Sequence, residues 1–173
     1  MKLNLNKNPL KKILLTGYKG FVGSHVTKKL LSKNLSITFG NINPSDNGIM
    51  IDQDINLKEY DCICHLGASS KRSNSYSDII NKNIIHNENI FYHASKYNNL
   101  KIIYASANSI VSSSTVDHID FSTKSKPKEL YSISKLLGEE LLKHYIKRKN
   151  FTIIRLPALY GKGSNKEGLI DRL

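Results

Sequence analysis

The sequence predicts an α/β fold in which helices cover both faces of a doubly wound parallel sheet. Short apolar segments alternate with longer helical segments between residues 12 and 156. Strands separated by helices form parallel sheets through right-handed crossovers. The first apolar segment also runs directly into a glycine-rich turn and a helical segment, as expected at the start of such a sheet.

Four predicted strands and one helix occupy the first part of the chain. The apolar run Lys12–Thr16 is the first strand, because a glycine follows it directly. The segment after the glycine turn, Phe21–Lys33, is the first helix. Strands are then predicted at Ser36–Phe39, Ile49–Ile51 and Asp61–Leu66.

The second part of the chain continues the alternation. A helix is predicted within Ser77–Tyr97, where isoleucines and a phenylalanine form a partly periodic apolar face. Strand five is predicted at Lys101–Ala105, a long helix from Tyr131 to about Lys149, and strand six at Phe151–Leu156. Since the carboxyl ends of parallel strands meet at one edge of the sheet, the residues that follow each strand should converge there.

Three glycines follow the first strand at the spacing G-x-x-G-x-x-G: Gly17, Gly20 and Gly23. Gly17 would let the chain bend sharply, Gly20 would let the backbone approach a diphosphate, and Gly23 would let the helix pack closely. The helix start would offer free N–H groups and a positive dipole end to that diphosphate. The turn therefore predicts a dinucleotide site, although ordinary strand-to-helix turns also use glycine.

Tyr131 and Lys135 lie four residues apart in the long predicted helix, so both side chains are on one face. An isolated tyrosine has a pKa of about 10, too high for proton transfer at neutral pH. A neighbouring ammonium favours the phenolate, so we expect Lys135 to lower the pKa of Tyr131. The alternative is an ordinary surface tyrosine followed by a surface lysine.

With these motifs in place, the chain resembles a known family, the extended short-chain dehydrogenase/reductases. These are the NAD-dependent epimerases and dehydratases that act on nucleotide sugars. The resemblance runs nearly end to end through several motifs in the same order. They are Thr16–Gly23, Asp54 with Ile55, His65–Ala68, Asn83, Ser106–Ser109, Tyr131 with Lys135, and Arg155–Gly161. The resemblance implies a Rossmann-like fold and one NAD(P)-binding domain over residues 1–173.

The resemblance also implies contacts with the cofactor. Asp54 and Ile55 would meet the adenine, and Leu66, Gly67 and Ala68 would line the path to the nicotinamide ribose. Alternatively, Asp54 caps a turn, and Gly67 with Ala68 only permits tight packing. The implied cofactor-binding residues are Gly17, Tyr18, Lys19, Gly20, Phe21, Val22, Gly23, Asn41, Asp54, Ile55, Leu66, Gly67, Ala68, Asn83, Tyr131, Lys135, Leu156 and Pro157.

The end of the second strand departs from the family pattern. NAD enzymes commonly place a carboxylate there to hold the adenosine ribose, but here Phe39 is followed by Gly40 and Asn41. Asn41 can hydrogen-bond a ribose hydroxyl. No lysine or arginine follows immediately to receive the 2′-phosphate of NADP. NAD is therefore the preferred cofactor, with NADP as the alternative.

The catalytic motif departs from the family at one position. The serine or threonine that usually assists the tyrosine aligns with Ala107, which has no hydroxyl. Ser106 or Ser109 would have to replace it. The predicted catalytic residues are therefore Tyr131, Lys135, Ser106 and Ser109. Dehydration is disfavoured, because Asn108 and Ser109 occupy the positions where the resemblance implies an acidic pair.

Chain length and composition set further expectations. Family members carry a C-terminal substrate-binding region, which is largely missing from these 173 residues. The chain is then expected to be a fragment, a truncated gene product or a domain that a partner completes. Self-association, as a homodimer, would cover the apolar surface left exposed. No apolar run of eighteen residues and no secretory signal is present, which favours a cytoplasmic protein without a membrane segment.

The formal net charge of +12 raises the question of nucleic-acid binding. The lysines are scattered and lack interleaved aromatic residues, which argues against a specific nucleic-acid site. A basic field suits an anionic dinucleotide or a nucleotide sugar equally well. Cys62 and Cys64 point to one face of a strand, so they are expected to be buried free thiols rather than a metal or redox pair.

Two functions from different classes follow. In the first, the chain is an NAD(P)-dependent nucleotide-sugar epimerase or ketoreductase: NAD takes a hydride from a sugar carbon and Tyr131 removes the hydroxyl proton. In the second, the chain is a catalytically degenerate module that binds a dinucleotide without turnover. The intact Tyr131 and Lys135 pair favours the first function, and Ala107 and the short length favour the second.

Overall fold

The computed structural model describes residues 12–41, 49–50, 56–69, 75–111, 123–147, 150–161 and 163. Its strands are β1 (Lys12–Thr16), β2 (Ser36–Asn41), β3 (Ile49–Met50), β4 (Cys62–His65), β5 (Lys101–Ala107) and β6 (Phe151–Leu156). They form one parallel sheet in the order β3-β2-β1-β4-β5-β6. The strand order reverses between β1 and β4, which confirms the predicted Rossmann-like, doubly wound sheet.

Helices connect the strands. They are α1 (Phe21–Leu31), α2 (Tyr76–Ile80), α3 (His86–Ser95) and α4 (Leu130–Tyr145), and a π-helical turn, Asn81–Ile85, joins α2 to α3. Single 3-10 turns occur at Leu57–Glu59 and Asn108–Ile110. No helix in the described part of the chain is both long enough and apolar enough to cross a membrane.

Two hydrophobic layers lie on opposite faces of the sheet. On one face Leu14, Ile63 and Tyr104 pack against α3 and α4, with Phe91 and Leu142 as buried helix residues. On the other face the buried strand residues are Ile13, Leu15, Cys62 and Cys64, which pack with Val26 and Leu30 of α1. Helices on both faces are therefore confirmed. Both cysteines are buried and free, as expected.

The predicted element bounds hold best where turn residues follow the element. β1 and β6 have the bounds predicted from the sequence. The first helix ends at Leu31 rather than Lys33, because the chain turns through Asn34, whose φ of 56° is left-handed. The last helix ends at Tyr145 rather than about Lys149, since Ile146 leaves the helical region.

Pairing between strands accounts for the other differences. β2 continues past Phe39 to Asn41, because Gly40 and Asn41 pair with β3. β5 continues past Ala105 to Ala107, because Ala107 still pairs with Leu156 of β6. β4 is shorter than predicted and spans only Cys62–His65. These differences in length leave the strand order unchanged. Because the strands are parallel, the carboxyl ends of β1, β4, β5 and β6 lie at the same edge.

Candidate dinucleotide-binding and catalytic site

The turn after β1 requires glycine at two positions. Gly17 has a φ of +70°, and a Cβ there would lie 2.5 Å from the amide nitrogen of Gly67. A Cβ on Gly23 would lie 2.0 Å from the carbonyl oxygen of Gly17. Gly20 is less constrained, because its Cβ would approach that oxygen to 3.2 Å. The turn thus has the sharp bend predicted at Gly17 and the close approach predicted at Gly23.

The first turn of α1 faces the same edge of the sheet. Gly20 is its N-cap and forms no side-chain capping bond, and the first turn contains no acidic residue. The first helical backbone bond runs from the N–H of Ser24 to the carbonyl of Gly20. The Gly20 N–H already donates to the Gly17 carbonyl at 3.0 Å. The N–H groups of Phe21, Val22 and Gly23 point out of the helix end, where an anion would meet these donors and the positive end of the dipole.

Aromatic packing supports the turn. The Tyr18 ring stacks on Phe39 of β2, with centroids 4.4 Å apart. Lys19 is exposed beside it, with its Nζ 5.8 Å from the Tyr18 ring centroid. Phe21 and Val22 are half-buried at the start of α1. Of the other predicted adenosine contacts, Asp54, Ile55 and the Asn41 side chain lie outside the described residues.

A buried hydrogen-bond chain connects the glycine turn to the helices. The Gly67 N–H donates to Thr16 Oγ1 (3.1 Å), which lies 2.7 Å from His65 Nδ1. His65 Nε2 lies 2.7 Å from Asn87 Oδ1. Asn87 Nδ2 in turn donates to the Tyr104 hydroxyl at 3.0 Å. Sequence reasoning singled out neither Asn87 nor Tyr104, because their roles depend on contacts between distant segments.

The donor and acceptor roles along these hydrogen bonds fix the tautomer of His65. Because Asn87 donates through Nδ2, its oxygen faces the ring and must accept from Nε2–H. His65 Nδ1 then accepts from the Thr16 hydroxyl. Burial lowers the pKa of His65 to about 4, which outweighs the opposing hydrogen bond with Asn87. His65 is therefore neutral at physiological pH.

Asn83, a predicted cofactor contact, lies in the π-helical turn and is 1% exposed. Its side chain accepts from the Ser69 N–H (2.7 Å) and donates to the Ser69 carbonyl and to Ser134 Oγ, both at 3.0 Å. Ser134 in turn donates to the Tyr131 carbonyl. Asn83 thus ties the segment after β4 to the first turn of α4, with both amide hydrogens used inside the protein.

The predicted catalytic pair occupies the start of α4. Lys135 is 3% exposed, and its Nζ lies 4.7 Å from the centroid of the Tyr104 ring. Burial lowers the pKa of Lys135 to about 8, partly opposed by Glu139. Burial raises the pKa of the half-buried Tyr131. The expectation that Lys135 lowers the pKa of Tyr131 is therefore wrong here, because desolvation of the phenol dominates.

An ion pair joins this helix to β6. Arg155 of β6 holds the buried Glu139 carboxylate through two hydrogen bonds of 2.9 and 2.8 Å. Burial opposes ionisation of Glu139, but the Arg155 contacts and the nearby Ser106 hydroxyl lower its pKa overall. The Ser106 hydroxyl is fully buried and has no hydrogen-bond partner of good geometry among the described residues. Ser106 therefore faces the interior charged pair.

Ser109 is placed differently. It is exposed in the 3-10 turn after β5. Ser132 Oγ, one residue after Tyr131, donates to Ser109 Oγ at 2.9 Å. Because Ser109 accepts this bond, its own proton is free for another acceptor. Of the two predicted replacements for the hydroxyl missing at Ala107, Ser109 is the accessible one.

The other predicted site residues also follow strands at this edge. After β4, Leu66 is half-buried, Gly67 is buried and Ala68 is exposed. Leu156 ends β6, and Pro157 follows it on the surface. The structure therefore brings the glycine turn, the segment after β4 and the ends of β5 and β6 to one edge, as the sequence predicted.

Comparisons with known proteins agree with this architecture. A protein of Methanocaldococcus jannaschii named "Putative UDP-glucose 4-epimerase" is 28% identical over 90% of this chain and 58% of its own length. A Bacillus cereus UDP-glucuronic acid 4-epimerase, solved with UDP-glucuronic acid and NAD, is 22% identical with a TM-score of 0.76. The alignment covers 94% of this chain and 61% of that one.

A third relative has a different activity. A dTDP-4-dehydrorhamnose reductase from Clostridium acetobutylicum is 24% identical, with a TM-score of 0.76 over 89% of this chain and 56% of that one. The chain thus spans less than two thirds of each of these relatives. Residues 13–173 match the model of the NAD dependent epimerase/dehydratase family. The chain belongs to the NAD dependent epimerase/dehydratase family.

Proposed function

We propose that this chain is the dinucleotide-binding part of an NAD-dependent enzyme that modifies a nucleotide sugar, as an epimerase or a ketoreductase. The observation that carries the proposal is the glycine turn, in which Gly17 and Gly23 leave no room for side chains beside the uncapped start of α1. Family membership and relatives that act on nucleotide sugars support the substrate class.

The residues present fit a dinucleotide. The first turn of α1 would bind the diphosphate, Tyr18 and Asn41 would approach the adenosine half, and Gly67 with Ala68 would border the nicotinamide half. When bound, NAD would supply a hydride acceptor for a sugar carbon and a hydride donor for the return step. NAD is preferred, and NADP is the alternative.

Two side chains of α4 would move and steer protons. Tyr131 would accept the proton of the sugar hydroxyl as its carbon is oxidised, and it would return that proton on reduction. Because burial raises the pKa of Tyr131, the phenol is protonated at neutral pH and is suited to the acid role. In the base role Tyr131 would act as the phenolate, the Lys135 ammonium on the same helix would stabilise that negative charge, and Ser109 would hold the reacting oxygen.

A second candidate is a module that binds the dinucleotide without turnover. Ala107 offers no hydroxyl, and Ser106 is buried against Glu139 rather than directed to the sheet edge. These features favour the module only if Ser109 fails to replace the missing group. A serine-to-alanine change at position 109 separates the two candidates, since it can reduce turnover only in the enzyme.

Cytoplasmic location and assembly as a homodimer are also proposals. Ile133 and Leu137 are 45% and 39% exposed and lie four residues apart on α4, so they form a small apolar surface. Sedimentation of wild type and of an Ile133→Lys, Leu137→Lys variant tests the dimer. Loss of a wild-type dimer in the variant supports it, and a monomeric wild type contradicts it.

Calorimetric titration with NAD and NADP, followed by a panel of UDP- and dTDP-sugars, tests the main proposal. NAD should bind, and sugar-dependent turnover should disappear in Tyr131→Phe. Tyr76→Phe is the matched control, because Tyr76 is 77% exposed on α2. If neither NAD nor NADP gives a heat of binding, both candidates are removed. Binding with no turnover would favour the module.

A further inference from the structure

We infer that Tyr104 is a positioning residue that holds the Lys135 ammonium at the face of its ring. The inference rests on the proposed function for the role of Lys135 in the site. Lys135 Nζ lies 4.7 Å from the Tyr104 ring centroid, within the range of a cation–π contact. Both side chains are almost completely buried, at 3% and 0% exposed. The contact is therefore desolvated, which strengthens it.

The nearest acidic partner does not replace this contact. Glu139 lies one helical turn after Lys135, but both of its carboxylate oxygens bind Arg155. Within the described part of the chain, the ammonium forms no ion pair or hydrogen bond. A ring face attracts the charge without using any N–H donor, so all three donors of Lys135 stay available to hydroxyl groups at the site.

Three neighbours fix the Tyr104 ring. Asn87 Nδ2 donates to its hydroxyl at 3.0 Å. The His65 ring stacks on it, with centroids 5.7 Å apart and an interplanar angle of 19°. Phe91 meets it edge-on, at 5.6 Å and 89°. The ring therefore has little freedom to follow or release the lysine.

The helix leaves space for this tyrosine. A Cβ on Gly138 would lie 2.2 Å from the Tyr104 hydroxyl and 2.6 Å from Asn87 Nδ2. Glycine at this position lets α4 approach β5 closely enough to place Lys135 over the ring. Gly138 was not among the residues singled out from the sequence, because a glycine three residues after Lys135 has no meaning without the packing.

The same contacts connect the lysine to the glycine turn. Thr16 bonds both the Gly67 N–H and His65, and His65 bonds Asn87, which holds Tyr104. Thr16 and Gly67, which contact the glycine turn, and the Tyr104 ring under Lys135 are therefore parts of one buried hydrogen-bonded unit. A change in Tyr104 should alter the position of Lys135 while leaving the turn intact, because Tyr104 is the last member of the series and the bonds of Gly67, Thr16, His65 and Asn87 to one another do not include it.

Nuclear magnetic resonance of the protein without added ligand, labelled with ¹³C-lysine, tests the inference. The ε-methylene protons of Lys135 should be shifted upfield by the ring and should show nuclear Overhauser effects to the Tyr104 ring protons. Tyr104→Phe retains the ring and should keep the shift. Tyr104→Leu should abolish the shift, lower the pKa of Lys135 further and weaken NAD binding about tenfold.

Tyr92→Leu is the matched control. Tyr92 makes the same kind of contact with Lys96 on the protein surface, with Nζ 4.4 Å from the ring centroid. The change should alter the Lys96 signals and leave Lys135 and NAD binding as in wild type. If Tyr104→Leu does not fold, the wild-type spectrum still decides, because absence of both the upfield shift and the Overhauser effects overturns the inference.

The two proposals fail in different ways. A Lys135 signal with the expected shift in a protein that binds no NAD leaves the Tyr104 contact standing and removes the proposed function. Normal NAD binding in a folded Tyr104→Leu protein that has lost the Lys135 shift overturns the positioning role alone.

Discussion

Gly23 lies directly against the carbonyl oxygen of Gly17, so that a Cβ on Gly23 would be 2.0 Å from that oxygen. This contact joins the end of β1 to the first turn of α1. It directs the start of the helix at the edge where the other strands end. The dinucleotide proposal depends on this geometry, because a displaced helix start could not bind a diphosphate with backbone N–H groups.

Gly23→Ala should therefore displace α1 from the turn. We expect the free energy of unfolding to fall by about 1–3 kcal/mol, as for other overpacked sites, and NAD binding to fall at least about tenfold. Urea unfolding and calorimetry measure the two effects. Gly20→Ala is the control for stability, since its Cβ would meet the Gly17 oxygen only at 3.2 Å. Equal destabilisation by both variants would contradict the account.

The Glu139 and Arg155 pair supplies a second prediction. Arg155→Ala leaves a buried carboxylate without its partner, so the free energy of unfolding should fall by about 3 kcal/mol. Lys143→Ala removes an exposed ion pair with Glu140 from the same helix and should change stability by less than about 1 kcal/mol. Adding Glu139→Gln to the Arg155 variant should recover stability, because a neutral amide is easier to bury. Equal effects of the two single changes would argue against a buried pair.

Acid should destabilise the protein through His65. Its pKa falls on folding from 6.5 to about 4, so the unfolded chain binds more protons between these values. Stability should therefore decline as the pH drops from about 6.5 towards 4, by roughly 2–3 kcal/mol from this group. Urea titrations at several pH values measure the decline. In spectra at pH 5, a His65 ring already half-protonated would contradict the assignment.

Lys135 should make stability depend on pH in the alkaline range. Its pKa falls on folding from 10.5 to about 8, so the folded protein holds fewer protons than the unfolded chain between these values. Lys135→Met should be more stable than wild type near pH 7, by roughly 1–3 kcal/mol, because a buried cation is removed. The difference should shrink as the pH rises from about 8 to 10.5. A constant difference across this range would exclude the lowered pKa.

Local sequence signals predicted the strands and the glycine turn well. β1 and β6 are short apolar runs, and a glycine or a loop limits each of them, so neighbouring contacts add little to their bounds. The turn at Gly17 was predictable because a glycine directly follows the apolar run, and the φ there is left-handed, as glycine permits. The carboxyl end of β5 was not, since pairing with Leu156 extends it to Ala107.

The electrostatics of the site depended on tertiary contacts that sequence spacing does not encode. The spacing of Tyr131 and Lys135 placed both on one face of α4 but did not reveal their burial, which raises the pKa of the tyrosine. The Tyr104 ring under Lys135 comes from β5, well before α4 in the chain. The Arg155 partner of Glu139 comes from β6, sixteen residues after Glu139. Only the packed fold brings them together.

The measurement that tests the central claim most directly is a crystal structure of the chain grown with NAD. The account predicts the diphosphate against the backbone of the turn from Gly17 to Gly23, with the nicotinamide ring on the same side of the sheet as Tyr131. An empty turn at saturating NAD, or a dinucleotide bound elsewhere with Tyr131 facing away from it, would contradict the account.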